Sequence, residues 1–110
     1  MLTCRILKLN CYMSDEQADE VFLKRNKKRI WPISEKFIEM KDAEIKVGVN
    51  IEVEKDTMVE LELWDYDTWS PNDKLGVFKM LVDQRGGAFT TDLIGESGVG
   101  AKYSLEWEVV

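Results

Sequence analysis

Ile45-Lys46-Val47-Gly48-Val49-Asn50-Ile51-Glu52-Val53 alternates apolar and polar positions without a break. Successive side chains of an extended strand point to opposite faces of a sheet. A period of two over nine residues therefore predicts a strand with one buried face. Past Lys55-Asp56 the pattern resumes: Val59, Leu61 and Leu63 alternate with Glu60, Glu62 and Trp64. The two runs read as one long hairpin turning at Lys55-Asp56.

Working outward, Leu75 to Val82 is a further β-rich run, closed by Asp83-Gln84-Arg85-Gly86-Gly87. Phe89 to Ile94 reads as a short strand before the glycine-rich loop Gly95 to Gly100. Tyr103, Leu105, Trp107 and Val109 alternate with Ser104, Glu106 and Glu108 as a final strand, and Leu2 to Tyr12 reads as the first. Residues 14–42 allow two readings. Ser14-Asp15-Glu16-Gln17 fits a capping box that could open a helix through Lys28. Against it, Val21-Phe22-Leu23 is β-prone, Asn26-Lys27 can turn, and Arg29-Ile30-Trp31 resumes an apolar run. The hairpin is the favoured reading, with a helical turn expected between Ile33 and Lys41. The sum is an all-β chain of about eight strands, an antiparallel β-sandwich in a single domain spanning residues 1–110.

Composition narrows the function. The 110 residues carry a net charge of −6 and contain no histidine. An acidic surface repels phosphate backbones, so no nucleic-acid partner is expected. Without histidine there is no Ser-His-Asp triad, no Cys-His pair and no His-ligated metal, so neither an enzyme nor a small-molecule substrate is expected. There is no apolar run of transmembrane length. Met1-Leu2-Thr3-Cys4-Arg5 lacks a signal peptide's apolar stretch, which predicts a cytoplasmic or peripheral-membrane chain, or export without a cleaved signal. Cys4 and Cys11, seven residues apart on one strand, would stand roughly 23 Å from each other. A disulfide needs Cα atoms within about 7 Å, so two unpaired buried thiols are expected.

The segment richest in chemistry is Leu63-Trp64-Asp65-Tyr66-Asp67-Thr68-Trp69-Ser70-Pro71-Asn72-Asp73-Lys74-Leu75-Gly76. A strand delivers Asp65 to a loop. Asp67 shares its parity, and Asp73 returns after a turn favoured by Ser70-Pro71-Asn72. Two like charges ~4 Å apart near a surface repel by about 4 kcal/mol. A cation offsets that repulsion, and Ca2+ takes six to eight oxygen ligands. The alternative is a solvated turn whose Asp and Asn side chains bond their own backbone.

This segment resembles the third calcium loop of C2 domains, in which aromatic-Asp-x-Asp, a turn, a further Asp and Leu-Gly follow one another. Asp19-Glu20-Val21-Phe22-Leu23-Lys24 is similar to the strand that follows the first calcium loop of that family. The resemblance implies a C2-like sandwich that binds calcium between loops at one end. Its ligands would be Asp65, Asp67 and Asp73 from the third loop, with Asp15 and Asp19 from the first. Departures stand beside it: Asp15 and Asp19 are only four apart, Glu20 replaces the usual proline, and the Asn-Pro-x-Trp-Asn motif is missing.

Lys24, Arg25, Lys27, Lys28 and Arg29 form the basic cluster, suited to an anionic lipid or acidic partner or, more simply, to a solvated hairpin tip. Trp69 beside the acidic loop is a candidate contact for a membrane or partner. Trp31, Trp64 and Trp107 read as core or half-buried residues, and Glu60, Glu62, Glu106 and Glu108 as a solvated sheet face. The leading expectation is a non-catalytic calcium-binding module that docks to an anionic membrane surface or to a protein. The alternative is a calcium-independent interaction domain of a larger assembly, such as a bacterial secretion-system or accessory protein.

Overall fold

A computed structural model describes all residues, 1–110. The protein is all-β and has no helix, hence none long and apolar enough to cross a membrane. Its ten strands are β1 (Leu2–Met13), β2 (Asp19–Arg25), β3 (Lys28–Trp31), β4 (Ile38–Met40), β5 (Glu44–Val53), β6 (Thr57–Asp65), β7 (Asp73–Val82), β8 (Gly86–Asp92), β9 (Ile94–Gly95) and β10 (Lys102–Val109). One sheet has the order β5-β1-β10-β8 and the other β3-β2-β6-β7-β9, with β4 also paired to β2. Every pairing is antiparallel.

The strand alternation predicted the buried faces. Ile6, Leu9 and Leu105 of the first sheet meet Val21, Leu61, Leu63 and Phe78 of the second in one 22-residue apolar core. A bulge around Leu7, where both ladders of β1 slip between Ile6 and Lys8, turns Ile6 and Leu9 inward together. Cys4 and Cys11 are both on β1, buried and unpaired, as expected. Burial pushes the Cys4 thiol up to about 11, which makes it a poor nucleophile at neutral pH.

Residues 19–31 form the favoured hairpin. Asn26 and Lys27 both have positive φ, 52° and 68°, the geometry a tight two-residue turn requires.

Three expectations are corrected. The strands number ten rather than eight, because β4 and the two-residue β9 were too short to leave a periodic signal. No helical turn forms between Ile33 and Lys41. Buried Pro32 has no N–H to offer and ends β3; residues 33–37 loop out, and the chain rejoins the same edge of β2 as β4. Most consequentially, β5 and β6 are not a hairpin but lie in different sheets. The turn at Glu54 to Asp56 carries the chain from one sheet to the other, braced by Asp56 N–H to the Val82 carbonyl at 2.7 Å and Thr57 Oγ1 to the Glu54 carbonyl at 2.6 Å. A strand's alternation says only that one face is buried, and a crossing satisfies that as well as a hairpin does.

Candidate functional site

The register gathers three connections at one end of the molecule: residues 14–18, 66–72 and 96–101. The joints are hydrogen bonds. Tyr66 N–H donates to the Glu20 carbonyl at 2.7 Å, tying the β6 exit to β2. Gly100 N–H donates to Asp15 Oδ1 at 2.8 Å, tying the last loop to the first.

Each aspartate expected to hold calcium can now be placed. Asp19 is fully buried. Its Oδ2 takes the Asp15 N–H at 3.0 Å and the Tyr103 hydroxyl at 2.6 Å, and its Oδ1 takes the Glu16 N–H at 3.2 Å. The buried charge is thereby held by three donors, which is the condition for keeping a carboxylate inside. Burial, with the bond to Asp19, pushes the Tyr103 phenol well above its ordinary range.

Asp67 folds its own loop. Its Oδ1 takes Trp69 N–H at 2.9 Å and Ser70 N–H at 3.2 Å, and its Oδ2 takes the Ser70 hydroxyl at 2.7 Å. Asn72 Oδ1 accepts the Asp67 N–H at 2.9 Å. The Ser70 hydroxyl first, then the Trp69 N–H, hold the Asp67 carboxyl below its usual range. This is the self-bonded turn weighed above as the alternative to a cation site.

Asp65 differs from both. It is only 7% exposed, and its single donor is the Glu20 N–H on Oδ1 at 2.8 Å. Burial raises its pKa to about 6; the Glu20 N–H opposes the rise, and the charges of Asp19, Glu16 and Glu20 add to it. Asp73 sits across the ladder from Asp65 but is exposed, and Asp15, also exposed, gives Oδ1 to Gly100.

The loop end thus brings Asp15, Asp19, Asp65 and Asp67 into one neighbourhood, yet turns most of their oxygens onto backbone donors. No three acidic or thiol side chains converge as a metal-holding group. As arranged, this donor set does not fit calcium, which asks for six to eight converging oxygens.

The loops leave instead a groove of about 280 Å³. Glu16 and Glu20 line it, beside Asp65, Asp67 and Trp69. Trp69 is 95% exposed. The sequence reading missed both glutamates as parts of a site; the only trace they left was Glu20 standing in place of a proline. It also missed Tyr103, which reaches Asp19 across 84 positions of sequence.

The basic cluster lies elsewhere. β2 starts at the acidic loops and ends at the hairpin tip, and none of Lys24, Arg25, Lys27, Lys28 and Arg29 lines the groove beside Trp69. Two of them have local work: the Lys24 ammonium sits 4.5 Å from the Trp64 ring centroid, and Arg29 Nη1 donates to the Lys36 carbonyl at 3.2 Å. Lys27 faces Glu60 and Glu62 across a separate charged groove. Trp31 and Trp107 are buried and Trp64 half-buried, as read from the sequence. Glu60, Glu62 and Glu108 make cross-strand ion pairs with Lys79, Lys74 and Arg5. No protein-family model matches the chain, and no curated protein matches it.

Proposed function

We propose that the chain is a non-catalytic docking module that engages a protein partner through the loop end carrying Trp69, without calcium. The observation that carries this reading is a fully exposed indole on a loop already held in one shape by the bonds of Asp67 and Asn72. A preordered loop loses little entropy on binding, and tryptophan is among the residues that dominate interface energies. The surrounding carboxylates favour a cationic partner and repel an anionic bilayer. The similarity to C2 domains supports the loop end, rather than the sheet faces, as the docking surface. The non-catalytic role rests on the sequence, in which no histidine is present to pair with a nucleophile.

A second reading, calcium-dependent docking to a membrane or protein, is favoured by Asp65. Burial is the main cause of its raised pKa, and the charges of Asp19, Glu16 and Glu20 add a repulsion that a divalent cation would relieve. It requires the Asp67 turn to surrender its three bonds.

Thermal melting in EGTA and then in ~1–5 mM calcium, with magnesium as control, separates the two. The proposal expects no shift. A ligand at 100 times its dissociation constant stabilises the native state by about 2.7 kcal/mol, a rise of about 10 °C here. A calcium-selective rise of that size, lost in the Asp65→Asn, Asp67→Asn double variant, would establish the second reading in place of the first.

A further inference from the structure

We infer that the groove between Asp65 and Trp69 receives the guanidinium of an arginine carried on a basic segment of the partner. The inference rests on the docking reading above and names the chemistry of its central contact.

The first observation is an acceptor. Asp65 lines the groove and is only 7% exposed, and the chain gives a donor to just one of its two oxygens. No sealed side-chain oxygen in the molecule lacks a partner, so Asp65 Oδ2, which has none, keeps access to solvent in a residue that lines the groove. The lining holds four carboxylates, those of Glu16, Glu20, Asp65 and Asp67, and no lysine or arginine.

The second observation is independent and concerns the aromatic rings. The ring of Trp64 already carries the ammonium of Lys24 at 4.5 Å, and that of Tyr66 carries Lys36 at 5.8 Å and stacks on Phe37. Trp69, next along the same segment, has no such cover and faces water. A cation over an indole beside unneutralised carboxylates is stabilised by both.

The third is size. A volume of about 280 Å³ stands at the small end of the range for ligand pockets and has room for one side chain. Arginine fits better than lysine, because its planar fork can donate twice to a carboxylate while its face lies on the indole.

The test is an NMR titration of the ¹⁵N-labelled protein with the capped peptide Gly-Arg-Gly-Arg-Gly, against the same peptide with citrulline, the neutral isostere. The expected result is a saturable shift of the Trp69 indole N–H and of amides at 16, 20 and 65–69, absent with citrulline. Affinity should drop at least about fivefold in Trp69→Ala and in Asp65→Asn, the latter keeping its acceptor for the Glu20 N–H. No saturable shift, equal shifts with citrulline, or an affinity in either variant unchanged from that of the parent protein overturns the inference. If the peptide fails while melting is calcium-insensitive, the inference falls alone. If it fails and melting responds selectively to calcium, the calcium-free docking reading falls with it.

Discussion

Two aspartates a few residues from each other's loops show how donors decide what burial costs. Asp19 is fully buried with three donors, Asp65 nearly so with one. The sign of the Asp65 effect follows from its pKa of about 6, above the ordinary 3.8. Between about pH 4 and 6 the folded state holds a proton that the unfolded state has released. Asp65 therefore favours folding less and less as pH rises through that window, and above pH 6 its cost is present in full. Asparagine keeps the acceptor and removes the charge. Asp65→Asn is expected to stabilise the protein at pH 7.5 by about 1–2 kcal/mol, the full conversion being reduced because water reaches the groove. The gain should vanish by pH 4. Urea melts of both proteins at the two pH values check this, and a gain that is equal at both would show that relief of charge is not its source. None of this was legible in the spacing Asp65-x-Asp67, which allowed a self-bonded turn such as that of Asp67 but said nothing about the burial of Asp65. The Gly100 N–H on Asp15 and the Tyr103 hydroxyl on Asp19 come from more than 80 positions away.

Among the elements, β7 shows why a small residue follows Leu75. A Cβ on Gly76 would run into the Ile94 carbonyl oxygen and stand 2.8 Å from Leu93 Cγ, because β9 crosses there. Gly76→Ala must push β9 off its ladder. We expect a loss of about 1–3 kcal/mol, the usual range for overpacking, read as a fall in Tm of several degrees. A melt unchanged within a degree would show that β9 yields freely. The Leu-Gly pair was visible in the sequence, but its cause was not: a two-residue strand has too little length to carry a period. The β2–β3 hairpin was visible, because Asn26-Lys27 is a turn signal at the place where the apolar pattern pauses. The supposed hairpin of β5 and β6 failed for the opposite reason. Lys55-Asp56 is an equally good turn signal, but a turn's composition does not say which sheet the next strand joins.

At the scale of the whole molecule, one core is built from the inner faces of both sheets, and neither sheet has a core of its own. Unfolding should therefore be a single transition. In a urea titration followed by NMR, the amides of Leu105 in one sheet and Leu61 in the other should lose intensity with the same midpoint. Midpoints separated by more than about 0.3 M would mean that one sheet persists alone. The charge distribution also belongs to this scale. The acidic loops and the basic hairpin tip are separated by the direction of β2, which sets an acidic, tryptophan-bearing end apart from the cationic cluster. By itself the sequence determined that the chain is β, which side of most long strands faces inward, that the thiols stay unpaired, and that an acidic loop carries Trp69. Each of these is a local property, read from parity, composition or distance along one strand. Only the tertiary structure decided which strands pair, that β5 and β6 part company, that Tyr103 reaches the buried Asp19 while Asp65 keeps an open oxygen, and that Trp69 stands uncovered. Those outcomes depend on hydrogen bonds and contacts between residues far apart in the chain, where neither period nor spacing leaves a trace.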